Sequence, residues 1–309
     1  MTAGSKLTVA IVSFNTRALL EACLSALLRS LAASPELGAR VVVVDNASSD
    51  GSAAMVRERF PSVELRPLTG NLGFSGGNNL ALCEARTPYA LLLNPDTEVR
   101  GDAPAALVGF LEAHPRAGAV GARLIYPDGS FQHSAFRFPT LPMSFLDFFP
   151  INHRLTNSRL NGRYPRAWYE RAFEIDHPLG AGLMLRRAAL DQVGLLDEQY
   201  FMYAEEVDLC FRIKRAGWQI WYTPDATIVH HQGAATGQFR AQMLVELHRS
   251  RLRFFAKHYP AWFGRAARAV VGLGVLRDLA RAAAERRRGR IGVAEWQQRR
   301  RVYGQLLAL

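Results

Sequence analysis

Short apolar runs and helical stripes alternate along the first hundred residues, and each run breaks into a polar loop. Leu7 to Phe14 (LTVAIVSF), Arg40 to Val44 and Tyr89 to Leu93 are nearly continuous in apolar residues, the pattern of strands buried on both faces. Val63 to Pro67 is a fourth, weaker strand. Arg17 to Leu31 carries Leu20, Cys23, Leu24, Leu27, Leu28 and Leu31 at helical spacing. A second helix is predicted to run to Arg59 behind Ser48, Ser49 and Asp50 as candidate caps. A third opens from the Gly/Asn-rich turn Gly70 to Asn79. Four strands alternating with three helices over short connections predict a largely parallel, right-handed βαβ sheet.

After Gly101 the pattern loosens. Ala103 to His114 reads as a helix and Ala119 to Tyr126 as a strand before a Pro127-Asp128-Gly129 turn. Residues 131 to 178 hold aromatics, prolines, Arg and His with little periodicity, as a lid or acceptor-binding loops would. Leu179 to Leu185 reads as a strand whose Gly180 and Gly182 permit close backbone approach. A helix begins near Ala204 and stops at Gly217. Trp218 to Tyr222 is a further strand, and Ile228-Val229 is an apolar segment ending in His230-His231.

In a parallel sheet the loops after the strands converge on one edge, where open α/β proteins bind ligands. Those loops hold Ser13-Phe14-Asn15, Asp45-Asn46, Gly70 to Asn79 and Asn94-Pro95-Asp96. Proline stops the Tyr89 strand and leaves Asp96 at its carboxyl end. Amides, two carboxylates and a glycine-rich helix start suit a nucleotide, with free helix N–H groups for its phosphates. The Gly/Asn turn lacks the Gly-Lys-Ser/Thr of a Walker loop, and it does not open the first βα unit, where a dinucleotide fingerprint belongs. Glu205-Glu206-Val207-Asp208 is a second acidic cluster. Its carboxylates repel one another unless a helix N-terminus, an arginine or a metal offsets them. Asp208 with Arg212 also reads as a plain i,i+4 pair. The adjacent His230 and His231 suit either a structural role or a metal or diphosphate contact.

Composition adds three limits. With 49% hydrophobic residues among 309, the chain can bury a substantial core. Cys23, Cys83 and Cys210 have no metal-ligand spacing, and each lies in an apolar helical pattern, so reduced core cysteines and a cytoplasmic location are expected. Met1 to Lys6 lacks the features of a signal peptide, and no apolar run reaches the length of a membrane span. The charge is uneven. From Gln238 onward there are 16 Lys+Arg against 4 Asp+Glu, whereas the rest of the chain has 22 against 23. Leu244, Leu247, Leu252, Phe254 and Phe255 are expected to pack back on the body. Ala261 to Ala284 mixes apolar residues with Arg265, Arg268, Arg277 and Arg281, which fits an anionic membrane interface first and a homo-oligomer or plain packing second, while Arg286 to Arg290 could meet nucleic acid, the least favoured reading.

Taken in order, Val12 to Asn15, Val44 to Gly51, Asn71 to Asn79, Asn94 to Asp96 and Phe201 to Arg212 resemble the inverting glycosyltransferases of family 2, with the GT-A fold. Within that family they are most similar to the rhamnosyltransferase-type members that build bacterial polysaccharides. The resemblance covers Leu7 to Gly237. It implies a catalytic domain over 1–237, with a nucleotide-sugar half (1–99) and an acceptor half (100–237), and a basic helical region over 238–309. Ser13, Asn15 and Asp45 would line the base and ribose pocket, with Asn71, Gly76, Asn78 and Asn94 nearby. Asp96 matches the last position of the family's Asp-x-Asp and would bind Mg²⁺ or Mn²⁺ with His230. The catalytic base falls on Glu206, with Glu205 and Asp208 as the other candidates, and Gly180, Ala181 and Gly182 would meet the acceptor. Two positions depart from the family: Asn94 replaces the first Asp of Asp-x-Asp, and Glu206 stands where Asp is commoner. The resemblance implies a nucleoside-diphosphate sugar donor, dTDP-L-rhamnose ahead of UDP-sugars, and a glycan or lipid-linked glycan acceptor at the inner face of the cell membrane. A degenerate, donor-binding partner of an active transferase is the non-enzymatic alternative. A nucleotidyltransferase would need a glycine-rich loop with Arg and Lys near the N-terminus, which this sequence lacks.

Overall fold

The computed structural model describes residues 4–150, 152–231, 233 and 240–309. Two compact units emerge: Met1–Phe138 with Tyr164–Phe201 and Glu205–Gln238, and Pro139–Arg163 with Met202–Ala204 and Phe239–Leu309. The boundary expected at residues 237 and 238 lies outside the described residues.

From the start the chain forms β1 (Leu7–Ser13), α1 (Arg17–Ala32), β2 (Arg40–Asp45), α2 (Ser52–Arg59), β3 (Glu64–Pro67), α3 (Gly73–Glu84) and β4 (Tyr89–Leu93). There follow β5 (Thr97–Val99), α4 (Ala103–Ala113), β6 (Ala117–Ile125), β7 (Phe131–Gln132) and β8 (Ala135–Phe136). In the second unit are α5 (Leu141–Phe148) and α6 (His153–Thr156). The first unit resumes with β9 (Phe173–Glu174), β10 (His177–Pro178), β11 (Gly182–Arg186), α7 (Arg187–Val193), α8 (Glu205–Arg215) and β12 (Gln219–His230). Helices α9 (Arg240–His258), α10 (Ala261–Arg287) and α11 (Val293–Leu307) complete the second unit.

The main sheet has the order β3-β2-β1-β4-β11-β6-β12-β5. Strands β3, β2, β1 and β4 are mutually parallel, as the alternation of apolar runs and helices predicts. β11 then runs antiparallel between β4 and β6, and β12 returns parallel to β6. Successive side chains of a strand face opposite ways. Leu7, Val9 and Ile11 of β1 therefore join Leu20, Leu24 and Leu27 of α1 in one apolar layer, while Ala10 and Val12 join Ala81 and Leu82 of α3 in the other. Both faces are covered, which is why these strands lack polar alternation.

Several local expectations change. The glycine-rich stretch is a turn only to Leu72; Gly73 to Asn79 already belong to α3. The cap position of α2 is Gly51, in the left-handed region (φ 84), while the Asp50 carboxylate accepts from the Ser52 N–H at 3.0 Å. Cys23 and Cys210 are buried, but Cys83 is exposed on α3. The two short segments expected at 218–222 and 228–230 form one strand, β12, whose register against β6 shifts between Thr223 and Thr227. Pro224 lies in that interval and has no N–H for the ladder.

In the second unit Phe148 of α5 packs with Val245 of α9, Val271 and Val275 of α10 and Leu306 of α11. Gly274 makes room for it: a Cβ there would lie 2.2 Å from the Phe148 ring. Phe254 and Phe255 are buried and their rings meet Tyr259, but Leu244 is exposed, contrary to the packing expected of it.

Candidate active site

The polar loops do converge at the carboxyl ends of the parallel strands. Ser13 and Asp45 are register partners at the ends of β1 and β2. The backbone bends sharply beyond them, with Asn15 (φ 53) and Ala47 (φ 63) in the left-handed region. Asn tolerates that conformation; for Ala47 it costs about 1 kcal/mol. Asn15 earns its place locally, since its Oδ1 accepts from the Ser49 N–H at 2.8 Å and its own N–H donates to Ser48 Oγ at 3.0 Å. The Ser13 hydroxyl bonds Thr16 at 2.8 Å. Asn15 thus fastens the two loops to each other, and Ser13 braces the first loop within itself.

Asp45 is buried, with Oδ2 accepting from the Ser48 N–H at 3.1 Å and Oδ1 accepting no hydrogen bond within the protein. Asn46, equally buried, donates to the Gly73 carbonyl at 2.9 Å and so ties the end of β2 to the start of α3. Asn71 Oδ1 accepts from the Gly73 N–H at 2.8 Å. Gly73 has φ 73, and a Cβ there would lie 2.3 Å from the Phe201 carbonyl oxygen, which also accepts the Phe74 N–H at 2.8 Å. Gly76 and Gly77 admit Leu72 and Val12 in the same way. The glycines thus serve close packing of the first turn of α3. Within that turn Ser75 Oγ and Asn78 Oδ1 are buried without hydrogen-bond partners, although Asn78 Nδ2 donates to Phe74 O. Ser75 was not among the sequence candidates; Asn46, beside Asp45 in the second strand-end loop, was read with it as a nucleotide contact.

Asp96 is buried between β4 and β5. Its Oδ1 lies 3.6 Å from His230 Nε2 at the end of β12, and its carbonyl accepts the His231 N–H at 2.9 Å. His230 Nδ1 bonds Gln132 Oε1 at 3.2 Å, which leaves Nε2 as the nitrogen toward Asp96. Burial lowers the His230 pKa, ahead of the opposing charge of Asp96, and favours the neutral imidazole. Gln132 gave no sequence signal because it falls in the aperiodic stretch. His231 instead pairs with Glu98 at 2.9 Å. Asn94, beside Asp96, has a buried Oδ1 with no partner.

The segment 180–182 links this loop to the second acidic cluster. The Asn94 N–H donates to the Ala181 carbonyl at 3.0 Å. A Cβ on Gly180 would stand 3.4 Å from Glu206 Cγ, and one on Gly182 would strike Ile228 at 2.6 Å. Tyr203 (φ 67) and Ala204 (φ 62) precede α8 in left-handed conformations. On α8, Glu205 is buried and Glu206 half-buried, and each has an Oε2 shielded from water with no hydrogen-bond partner. Burial pushes the Glu206 carboxyl up to about 7. It pushes Glu205 well above the carboxylate range, with the charge of Glu206 adding to the effect. Asp208 is different: fully buried, it receives Arg212 Nε at 2.8 Å, while the same guanidinium donates to the Val193 and Leu195 carbonyls at 2.7 Å each. Its carboxylate is engaged in holding α8 to the end of α7.

Comparison with known proteins shows which family has this sheet and these strand-end loops. The model of the family described as glycosyl transferase family 2 matches residues 8–194. An N-acetylglucosaminyl-diphospho-decaprenol L-rhamnosyltransferase of Mycobacterium tuberculosis is 33% identical over 256 residues, covering 76% of this chain and 80% of that one. Rhamnosyltransferase WbbL of Escherichia coli is 26% identical over 172 residues, 52% of this chain and 62% of that one. Among solved structures, the mannosyltransferase PcManGT from Pyrobaculum calidifontis in complex with GDP-Man and Mn²⁺ superposes with a TM-score of 0.52 at 18% identity, covering 99% of this chain and 86% of that one. The chain belongs to glycosyl transferase family 2. It is a rhamnosyltransferase-like glycosyltransferase with the GT-A fold.

Proposed function

We propose that the protein moves L-rhamnose from dTDP-L-rhamnose to a lipid-linked glycan, with inversion, using Glu206 as the base. The reading rests on one observation: a half-buried carboxyl whose Oε2 has no hydrogen-bond partner, raised to about 7, lies against Gly180, one residue from the carbonyl that holds the Asn94 loop. A base near neutral pKa is well matched to taking a proton from a sugar hydroxyl. The acceptor oxygen forms its bond to the anomeric carbon as the bond to the diphosphate oxygen breaks. The electron pair stays with the nucleoside diphosphate, and the hydroxyl proton passes to Glu206. The rhamnosyl group and the lipid-linked acceptor are supported by the activity of the mycobacterial relative.

Asp45, Ser75 and Asn78 supply buried oxygens for the nucleotide, whereas the Gly73 and Phe74 N–H groups at the start of α3 are already bonded to Asn71 and Phe201. Asp96 and His230 would hold a divalent cation, Mg²⁺ or Mn²⁺. Their donor atoms face each other at 3.6 Å, and the imidazole is fixed by Gln132 in its neutral, ligating form. Among the described residues no cluster of three His, Cys, Asp or Glu is arranged to hold a metal alone. The two protein ligands therefore fit a hard cation that shares its other positions with donor oxygens and water. Such an ion supplies positive charge against the departing diphosphate. Asn94, neutral where the family has Asp, lowers the negative charge of this loop.

The test is a thermal-shift panel of nucleotide sugars with Mn²⁺, Mg²⁺ or EDTA, followed by turnover on a lipid-linked acceptor. Stabilisation by dTDP-L-rhamnose that EDTA abolishes is expected. Preference for a UDP-sugar would overturn the donor assignment, and donor binding without turnover on any acceptor would favour a non-catalytic partner.

A further inference from the structure

Helix α10 has two opposite faces. Its inner face packs Ala267, Val271, Gly274, Val275 and Ala282 into the core of the second unit. At 100° per residue, Trp262, Ala269, Leu273, Leu276 and Ala280 fall within about 40° of a single line on the other side. All five are exposed, and the large ones strongly so: Trp262 58%, Leu273 63% and Leu276 55%. Arg265 and Arg268 border this line on one flank, Arg277 and Arg281 on the other. Arg277 also donates to the Phe148 carbonyl and lies over the Phe149 ring, and Arg281 pairs with Glu285 at 3.4 Å. The helix carries six arginines against Asp278 and Glu285.

An apolar stripe of this size, rimmed on both sides by cations, is an unusual thing to leave in water. A second copy of the chain meeting it face to face would bring like-charged rims together, which disfavours an isologous contact. A layer of anionic headgroups above an acyl boundary matches both parts: phosphates meet the arginines while Trp262, Leu273 and Leu276 enter the apolar zone. None of the described helices is long and apolar enough to cross a membrane, so α10 would lie along the surface. We propose that the outer face of α10 is a docking surface for an anionic phospholipid bilayer, with Trp262, Leu273 and Leu276 as the inserted residues. The inference does not depend on the donor, the acceptor or the base.

The experiment is co-sedimentation of the full-length protein with phosphatidylcholine vesicles, with and without roughly one third phosphatidylglycerol, at low and high salt. Binding is expected only with phosphatidylglycerol, and it should weaken at high salt. The double variant Leu273→Glu/Leu276→Glu should bind at least about tenfold more weakly while melting like the wild type, because both residues are exposed. If that variant fails to fold, Arg265→Ser/Arg268→Ser should weaken binding by about tenfold and flatten its salt dependence. Quenching of Trp262 by brominated lipid, lost in Trp262→Phe, reports insertion directly. No binding to phosphatidylglycerol vesicles, or equal binding by the Leu273/Leu276 variant, would overturn the proposal. A wild-type dimer that the same variant converts to monomer, without vesicle binding, would assign the face to a second copy.

Discussion

Three carboxylates within four residues of α8 face different fates, and substitution separates them. Glu206→Gln keeps the shape of the side chain but cannot accept the proton, so turnover should fall by about 10²–10⁴ while donor-induced thermal stabilisation persists. Retained turnover would remove Glu206 from the mechanism. Because its carboxyl is raised to about 7, the wild-type rate should climb as pH passes through about 7, when the acid becomes the base. Glu205 gives a stability signal instead. Its folded-state pKa is raised, so its contribution is fully present below the unfolded value and is lost as pH rises through the folded one. Glu205→Gln should therefore raise the melting temperature at about pH 8, and the gain should vanish below about pH 4. Asp208→Asn should do the reverse of Glu206→Gln. It removes the charge of a fully buried carboxylate from its pair with Arg212, which is 19% exposed, and so costs up to about 3 kcal/mol of stability. Reading i,i+4 spacing alone, Asp208–Arg212 was legible in the sequence; the burial that separates Glu205 from Glu206 was not.

At the level of elements, β1, β2, β4 and α1 could be read to within a residue or two, because those strands are buried on both faces and α1 has one apolar stripe. The 131–178 stretch could not. Its strands are two residues long and its order comes from aromatic contacts such as Tyr169 with Phe131, Phe173 and Tyr222, which leave no period. The start of α3 was misread for a definite reason. Glycine signals a turn on propensity, yet here Gly73, Gly76 and Gly77 are demanded by Phe201, Leu72 and Val12 lying where side chains would be. Gly73→Ala meets both a left-handed φ and a carbonyl oxygen, so it should cost about 1–3 kcal/mol, read as a lower chemical-denaturation midpoint. Donor affinity should fall with it, since the same residue is held by Asn46 and Asn71.

For the whole molecule, the polar strand-end loops and the basic character of the C-terminal helices were both visible in the sequence. The interposition of β11 between β4 and β6 was not, because an antiparallel strand carries the same apolar pattern as a parallel one. Asp96→Ala should abolish the metal-dependent part of donor-induced thermal stabilisation; an equal shift with and without EDTA would remove Asp96 as a ligand. The pairing of β5 with β12 has a consequence for how this enzyme comes into being. Thr97 opposite His230 closes a span of more than a hundred residues, and Glu98 with His231 closes one of 133. Contacts so far apart in the chain form late, after the local βαβ units have folded. Asp96 and His230 therefore meet only once β12 has emerged from the ribosome, well after a nascent chain can form the β1 to β4 units that precede Asp96.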